Sequence, residues 1–117
     1  MKVFILAISL TIATAKECTK TKPVAEAAMP GCIRQKIDSI KAQPKWNPPA
    51  EVWEYSYNGK TVYYFSGNCC DQYNMIYDSH CNYVCAPSGG LTGKGDRKCP
   101  DFDATAKKIK LVWKDDR

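Results

Sequence analysis

The period of the apolar positions changes several times along the chain, and each change marks an element. A mainly apolar run covers residues 3–12 and ends at Lys16-Glu17. Ile33, Ile37 and Ile40 then recur at i, i+4 and i+7, on one face of a helix that starts near Pro30-Gly31. The helix must stop before Pro44, because a residue ahead of proline is pushed out of the α region. Trp46 and Asn47-Pro48-Pro49 follow as an extended connector. Next, residues 51–57 and 60–65 read as two strands joined by Asn58-Gly59, a pair that accepts the positive φ angles of a two-residue hairpin. That loop sets Tyr57 opposite Lys60, Tyr55 opposite Val62 and Trp53 opposite Tyr64 on one side of the ribbon. Val52, Glu54, Ser56, Thr61, Tyr63 and Phe65 occupy the other. The first side is the more apolar and is expected to face the helix.

A second hairpin is predicted from residues 74–77 and 83–86 around a turn at 78–82. Residues 87–96 are too rich in glycine for regular structure, and Cys99-Pro100 closes that loop. Ile109, Leu111 and Trp113 alternate with Lys110, Val112 and Lys114 in a last strand. The order predicts an α+β fold with one N-terminal helix packed on an antiparallel sheet of about five strands, stabilised by disulfides.

The opening run has the layout of a secretory signal peptide. Lys2 precedes the apolar segment, and Ala13-Thr14-Ala15 supplies small residues for cleavage. It falls short of the roughly 20 apolar residues that span a bilayer. Glu17 ahead of Cys18 does not suit lipid attachment. Residues 1–15 are therefore expected to leave as a signal peptide, followed by an irregular arm over 16–29 and one disulfide-rich domain over 30–117. The product is expected to be secreted, extracellular or periplasmic, with no membrane span.

Seven cysteines in an exported chain of this size indicate a disulfide framework with one thiol over. Cys32, Cys69, Cys70, Cys81, Cys85 and Cys99 are the candidates for bridges, with their connectivity open. Cys18, in the arm, is the candidate odd thiol and offers a route to a disulfide-linked dimer. The adjacent pair Cys69-Cys70 either closes on itself or bridges to two different elements, and the second reading is the simpler. The net charge of +5 is scattered along the chain, with neither the basic stripe nor the reading motif of a nucleic-acid binder.

From Cys32 onward the sequence resembles an uncharacterised family of small exported bacterial proteins, secreted or lipid-anchored. The resemblance rests on Trp46-Asn47-Pro48-Pro49, residues 57–64, Cys69-Cys70-Asp71-Gln72 and Tyr77-Asp78. It continues through Gly89-Gly90-Leu91-Thr92-Gly93-Lys94-Gly95-Asp96 and Lys98-Cys99-Pro100-Asp101-Phe102. It implies a domain and no chemistry. It also implies glycine where this chain has Arg97; if that position needs φ > 0, arginine there is strained.

Each motif with possible chemistry has a plainer reading. The glycine-rich loop fails the phosphate-loop spacing, since Ser88 stands at the first glycine position and Gly95 follows Lys94. Asp96, Asp101 and Asp103 suggest calcium only in composition, and turn carboxylates are the commoner case. The clustered cysteines with His80 match no zinc module. His80 has no evident nucleophile or orienting group, so no catalytic set is legible and no cofactor or metal is expected. The side of the first hairpin carrying Tyr63 and Phe65 has two readings: an exposed aromatic face for a sugar or protein, or part of the core, which large apolar residues favour. The expected role is a non-enzymatic extracellular binding module for a protein or carbohydrate, centred on Lys94, Asp96, Arg97 and Asp101, with Tyr63 and Phe65 as the second candidate surface. The alternative is an inhibitor of a secreted hydrolase that presents loop 89–103.

Overall fold

The computed structural model describes residues 29–117. The signal peptide, Cys18 and all of the arm but Met29 lie outside the described residues. The elements run α1 (Gly31–Lys41), β1 (Glu51–Tyr57), β2 (Lys60–Phe65), β3 (Tyr73–Asp78), β4 (Tyr83–Gly89), α2 (Phe102–Thr105) and β5 (Lys107–Lys114). All five strands form one antiparallel sheet in the order β4-β3-β2-β1-β5. This is an α+β architecture with disulfides. The helix lies at residues 31–41, and the short α2 adds a turn that periodicity did not predict.

The first hairpin has the register set by its loop, with Trp53 opposite Tyr64, Tyr55 opposite Val62 and Tyr57 opposite Lys60. Asn58 and Gly59 adopt φ of 51° and 73°. The face beneath the helix, however, is the opposite of the one expected. Ile33, Ile37 and Ile40 pack on Ala50, Val52, Tyr63 and Phe65. Tyr63 and Phe65 are 3% and 7% exposed, so they are core residues rather than an exposed aromatic face. The other face is also covered, by Phe102 of α2 and by Cys85 and Cys99, which close over Tyr57, Val62 and Ile76. Both sides of the ribbon are buried, so its more apolar side did not identify the helix's partner.

Strand β4 begins as predicted but runs on through Pro87 to Gly89. The pairing shifts between Asn74 and Ile76, and Pro87 lies in that irregular stretch of an edge strand, where a missing N–H is tolerated. Strand β5 pairs with β1 through two such shifts. These break the simple alternation: Val112 and Trp113 both pack toward the core, while Ile109 stays 55% exposed.

Three bridges join Cys32 to Cys81, Cys69 to Cys70 and Cys85 to Cys99. The first ties α1 to the β3–β4 turn. The adjacent cysteines pair with each other across a cis peptide rather than with two separate elements. The end of α1 is held from the far end of the chain. Arg117 Nη1 donates to the carbonyls of Lys41 and Gln43, satisfying acceptors that a helix end leaves unpaired. The buried Asp115 orients that guanidinium, and its hydrogen bonds with Arg117 hold the carboxyl down at about 2.

A single helix is about 10–12 Å across, whereas five strands about 4.8 Å apart span roughly 19 Å. α1 therefore covers β1 and β2 and leaves a groove toward β3. No helix among the described residues is long and apolar enough to cross a membrane.

Candidate binding surface

The Gly-rich segment after β4 is an ordered loop, closed at its base by the Cys85–Cys99 bridge. Its backbone folds back on the sheet. Gly90 N–H donates to the Gln72 carbonyl, Gly95 N–H to Gly89 and Asp96 N–H to Ala86, and Gly89 and Lys94 form a parallel bridge. Two glycines make this path possible. Gly89 and Gly95 have φ of +85° and +66°, and a Cβ at either would collide with a backbone carbonyl, that of Gln72 or Ala86. Gly90 lies flat against Tyr73, whose Cε1 would stand 2.5 Å from a Cβ there.

The loop's side chains divide into those that build it and those that project. Asp96 is a builder. It accepts the Tyr83 hydroxyl at 2.5 Å and the Lys98 N–H at 3.0 Å. Burial alone would raise its carboxyl, but these bonds outweigh burial and hold it below the usual range. Tyr83 is shifted up by burial and by the same carboxylate. Asp101 likewise accepts the Tyr57 hydroxyl at 2.7 Å, and its carbonyl receives the N–H groups of Ala104 and Thr105 in α2. Lys94 and Arg97 are exposed, and Leu91, absent from the sequence-based candidates, is 89% exposed. Leu91, Arg97 and Asp96 border a cleft of about 520 Å³ with Asp71 and Tyr73. Of the four loop candidates, Lys94 and Arg97 thus face outward, while Asp96 and Asp101 hold the scaffold. Leu91 carried no sequence signal, because a single leucine in a loop does not disclose its exposure.

Arg97 has φ of +63°, the left-handed region in which a side chain costs about 1–2 kcal/mol. Part of that is returned when glycine, with its larger unfolded-state entropy, takes the position. Arg97→Gly is therefore expected to stabilise the domain by about 0.5–1 kcal/mol, whereas Arg97→Ala should not. Thermal unfolding of the two variants beside the parent chain distinguishes these outcomes.

His80 lies in the β3–β4 turn, where Asp78 Oδ1 accepts the backbone N–H groups of His80 and Asn82. Its neighbourhood is that of an Asx turn. Among the described residues, no group of three or more His, Cys, Asp or Glu side chains is placed to hold a metal ion.

Residues 38–115 match a protein family described as Domain of unknown function (DUF6970). No curated protein and no solved structure matches the chain.

Proposed function

Because the chain belongs to the DUF6970 family, whose description assigns no activity, we propose a function from its own geometry: a secreted, non-enzymatic binding module that engages a partner protein through loop 89–103. The observation that carries this reading is the bracing of the loop. A disulfide and backbone bonds to β4 and to the stretch before β3 fix its shape while Leu91, Lys94 and Arg97 project. Such a loop has little conformational entropy left to lose on binding, and loops on a rigid scaffold commonly carry function. Leu91 and Tyr73 supply apolar area at the cleft, and Lys94 and Arg97 supply charge that favours an acidic partner surface. The export signal read in residues 1–15 and the three bridges support an oxidising destination. Cys18 offers a thiol for pairing with a second copy.

The test begins with a partner recovered from the exported fraction. Leu91→Ala combined with Lys94→Ala is expected to weaken its capture at least about tenfold. The melting temperature should barely move, since exposed substitutions change stability by about 0.5 kcal/mol or less. Unchanged capture by this double variant would exclude the loop as the contact.

A second reading, an inhibitor of a secreted hydrolase, is favoured by one feature. Leu91 stands between Gly90 and Gly93, so the backbone beside it can approach the wall of a cleft closely. In that case the captured partner is a hydrolase whose turnover stops on binding, and Leu91→Ala relieves the inhibition.

A further inference from the structure

The groove that α1 leaves uncovered lies on the helix-facing side of the sheet and shares Tyr73 with the cleft at the partner loop. It encloses about 270 Å³, just under the roughly 300 Å³ at which small-molecule clefts begin. That suits one or two rings better than a length of peptide. Its walls are aromatic, with Trp46 from the connector and Phe65 and Tyr77 from the sheet. The Trp46 indole N–H is already engaged, donating to Gln43 Oε1 at 3.0 Å. The indole therefore has only its ring face to offer, while the Gln43 amide keeps two donors. Gln72 adds a second amide at the rim.

Among the described residues, one charge borders the groove. Lys36 Nζ stands 3.9 Å from the centre of the Tyr77 ring, and among the described residues no carboxylate pairs with it. No Asp or Glu among the described residues lines the groove. The electron-rich faces of aromatic rings attract the weakly positive C–H faces of a sugar ring. The amides suit its hydroxyls, and the Lys36 ammonium beside them suits a carboxylate. We propose that this groove binds an acidic saccharide of one or two rings, with a sugar face on Trp46 and the carboxylate at Lys36. The site does not depend on the partner loop and would stand if that reading failed.

The test is calorimetric titration of the full exported chain with a glucuronate-containing disaccharide and with its neutral glucose counterpart. The acidic sugar should bind about tenfold more tightly, the scale of a charge-assisted hydrogen bond of about 1.5 kcal/mol. Lys36→Met keeps the aliphatic stem over Tyr77 and should abolish this preference, with only the small fall in melting temperature that loss of the contact between ammonium and ring brings. Gln72→Ala, at the exposed rim, should weaken both sugars and leave the preference intact. Shift changes in NMR spectra should centre on the Trp46 indole. Equal binding of the two sugars, saturation with shifts elsewhere, or displacement of the disaccharide by benzoate at equal concentration would each overturn the proposal. So would the absence of saturable binding. Variants at Leu91 and Lys94 should leave these titrations unchanged, which separates this result from that of the partner loop.

Discussion

Phe65→Ala is expected to cost the domain about 3–5 kcal/mol, the usual loss for truncating a buried aromatic, while Trp53→Ala costs only about 1–2 kcal/mol. Phe65 is buried beneath α1 and meets the Tyr77 ring edge-on at a centroid distance of 5.4 Å. Its removal would leave a cavity between helix and sheet that neither backbone can close. Trp53, on the opposite face, is only partly buried. Its indole N–H donates to Glu51 at 2.9 Å, and Lys108 Nζ sits 3.6 Å from the ring centre. Those contacts involve solvent-accessible groups and are individually weak. Urea unfolding of both variants gives the comparison directly. A Trp53 variant as damaged as the Phe65 variant would mean that the helix lies on the wrong face in this structure.

The second large effect concerns the bridges, which should differ sharply in what their removal does. The chain-entropy treatment gives about 4 kcal/mol for a closed loop of the Cys32–Cys81 length and about 3 kcal/mol for that of Cys85–Cys99, given separations of 49 and 14 residues. Cys69 and Cys70 are neighbours, so their bridge closes almost no loop and contributes little through the same effect. A Cys32→Ala/Cys81→Ala chain should therefore lose about 4 kcal/mol, a large share for a domain that begins with about 5–15 kcal/mol. α1 should be the first part to loosen, because this bridge is its covalent tie to the sheet. Hydrogen exchange across residues 31–41 and the midpoint of denaturant unfolding report the two consequences. A Cys69→Ala/Cys70→Ala chain should unfold close to the parent midpoint; if it were instead the most damaged of the three, the ranking by loop length would be wrong.

The braced loop gives these stability effects their functional meaning. The substitutions that test it have to avoid Asp96 and Asp101, whose carboxylates anchor Tyr83 and Tyr57. Alanine at either would disturb folding and binding together. Leu91 and Lys94 separate the two effects.

What can be read from residues alone is what neighbouring residues impose on one another. The three isoleucines define a helical face whatever covers it. Asn58-Gly59 sets the pairing of six residues on either side through backbone geometry alone. The left-handed backbone at Arg97 was suggested by the family resemblance, which implies glycine there, and not by the local residues. Long-range choices are of a different kind. The side of the β1–β2 ribbon that receives α1 depended on Phe102 and the Cys85–Cys99 bridge arriving on the other side, and no local pattern announces their arrival. The pairing of six cysteines depends on which Cβ atoms come within a few ångströms after folding, so spacing could not choose it. The uncovered groove exists because one helix is narrower than five strands, and Trp46, Gln43, Lys36 and Tyr77 become neighbours there only when connector, helix and strand meet. Local conformational preference was legible in the sequence; packing between distant segments, which sets exposure and builds both candidate sites, was decided by the tertiary structure.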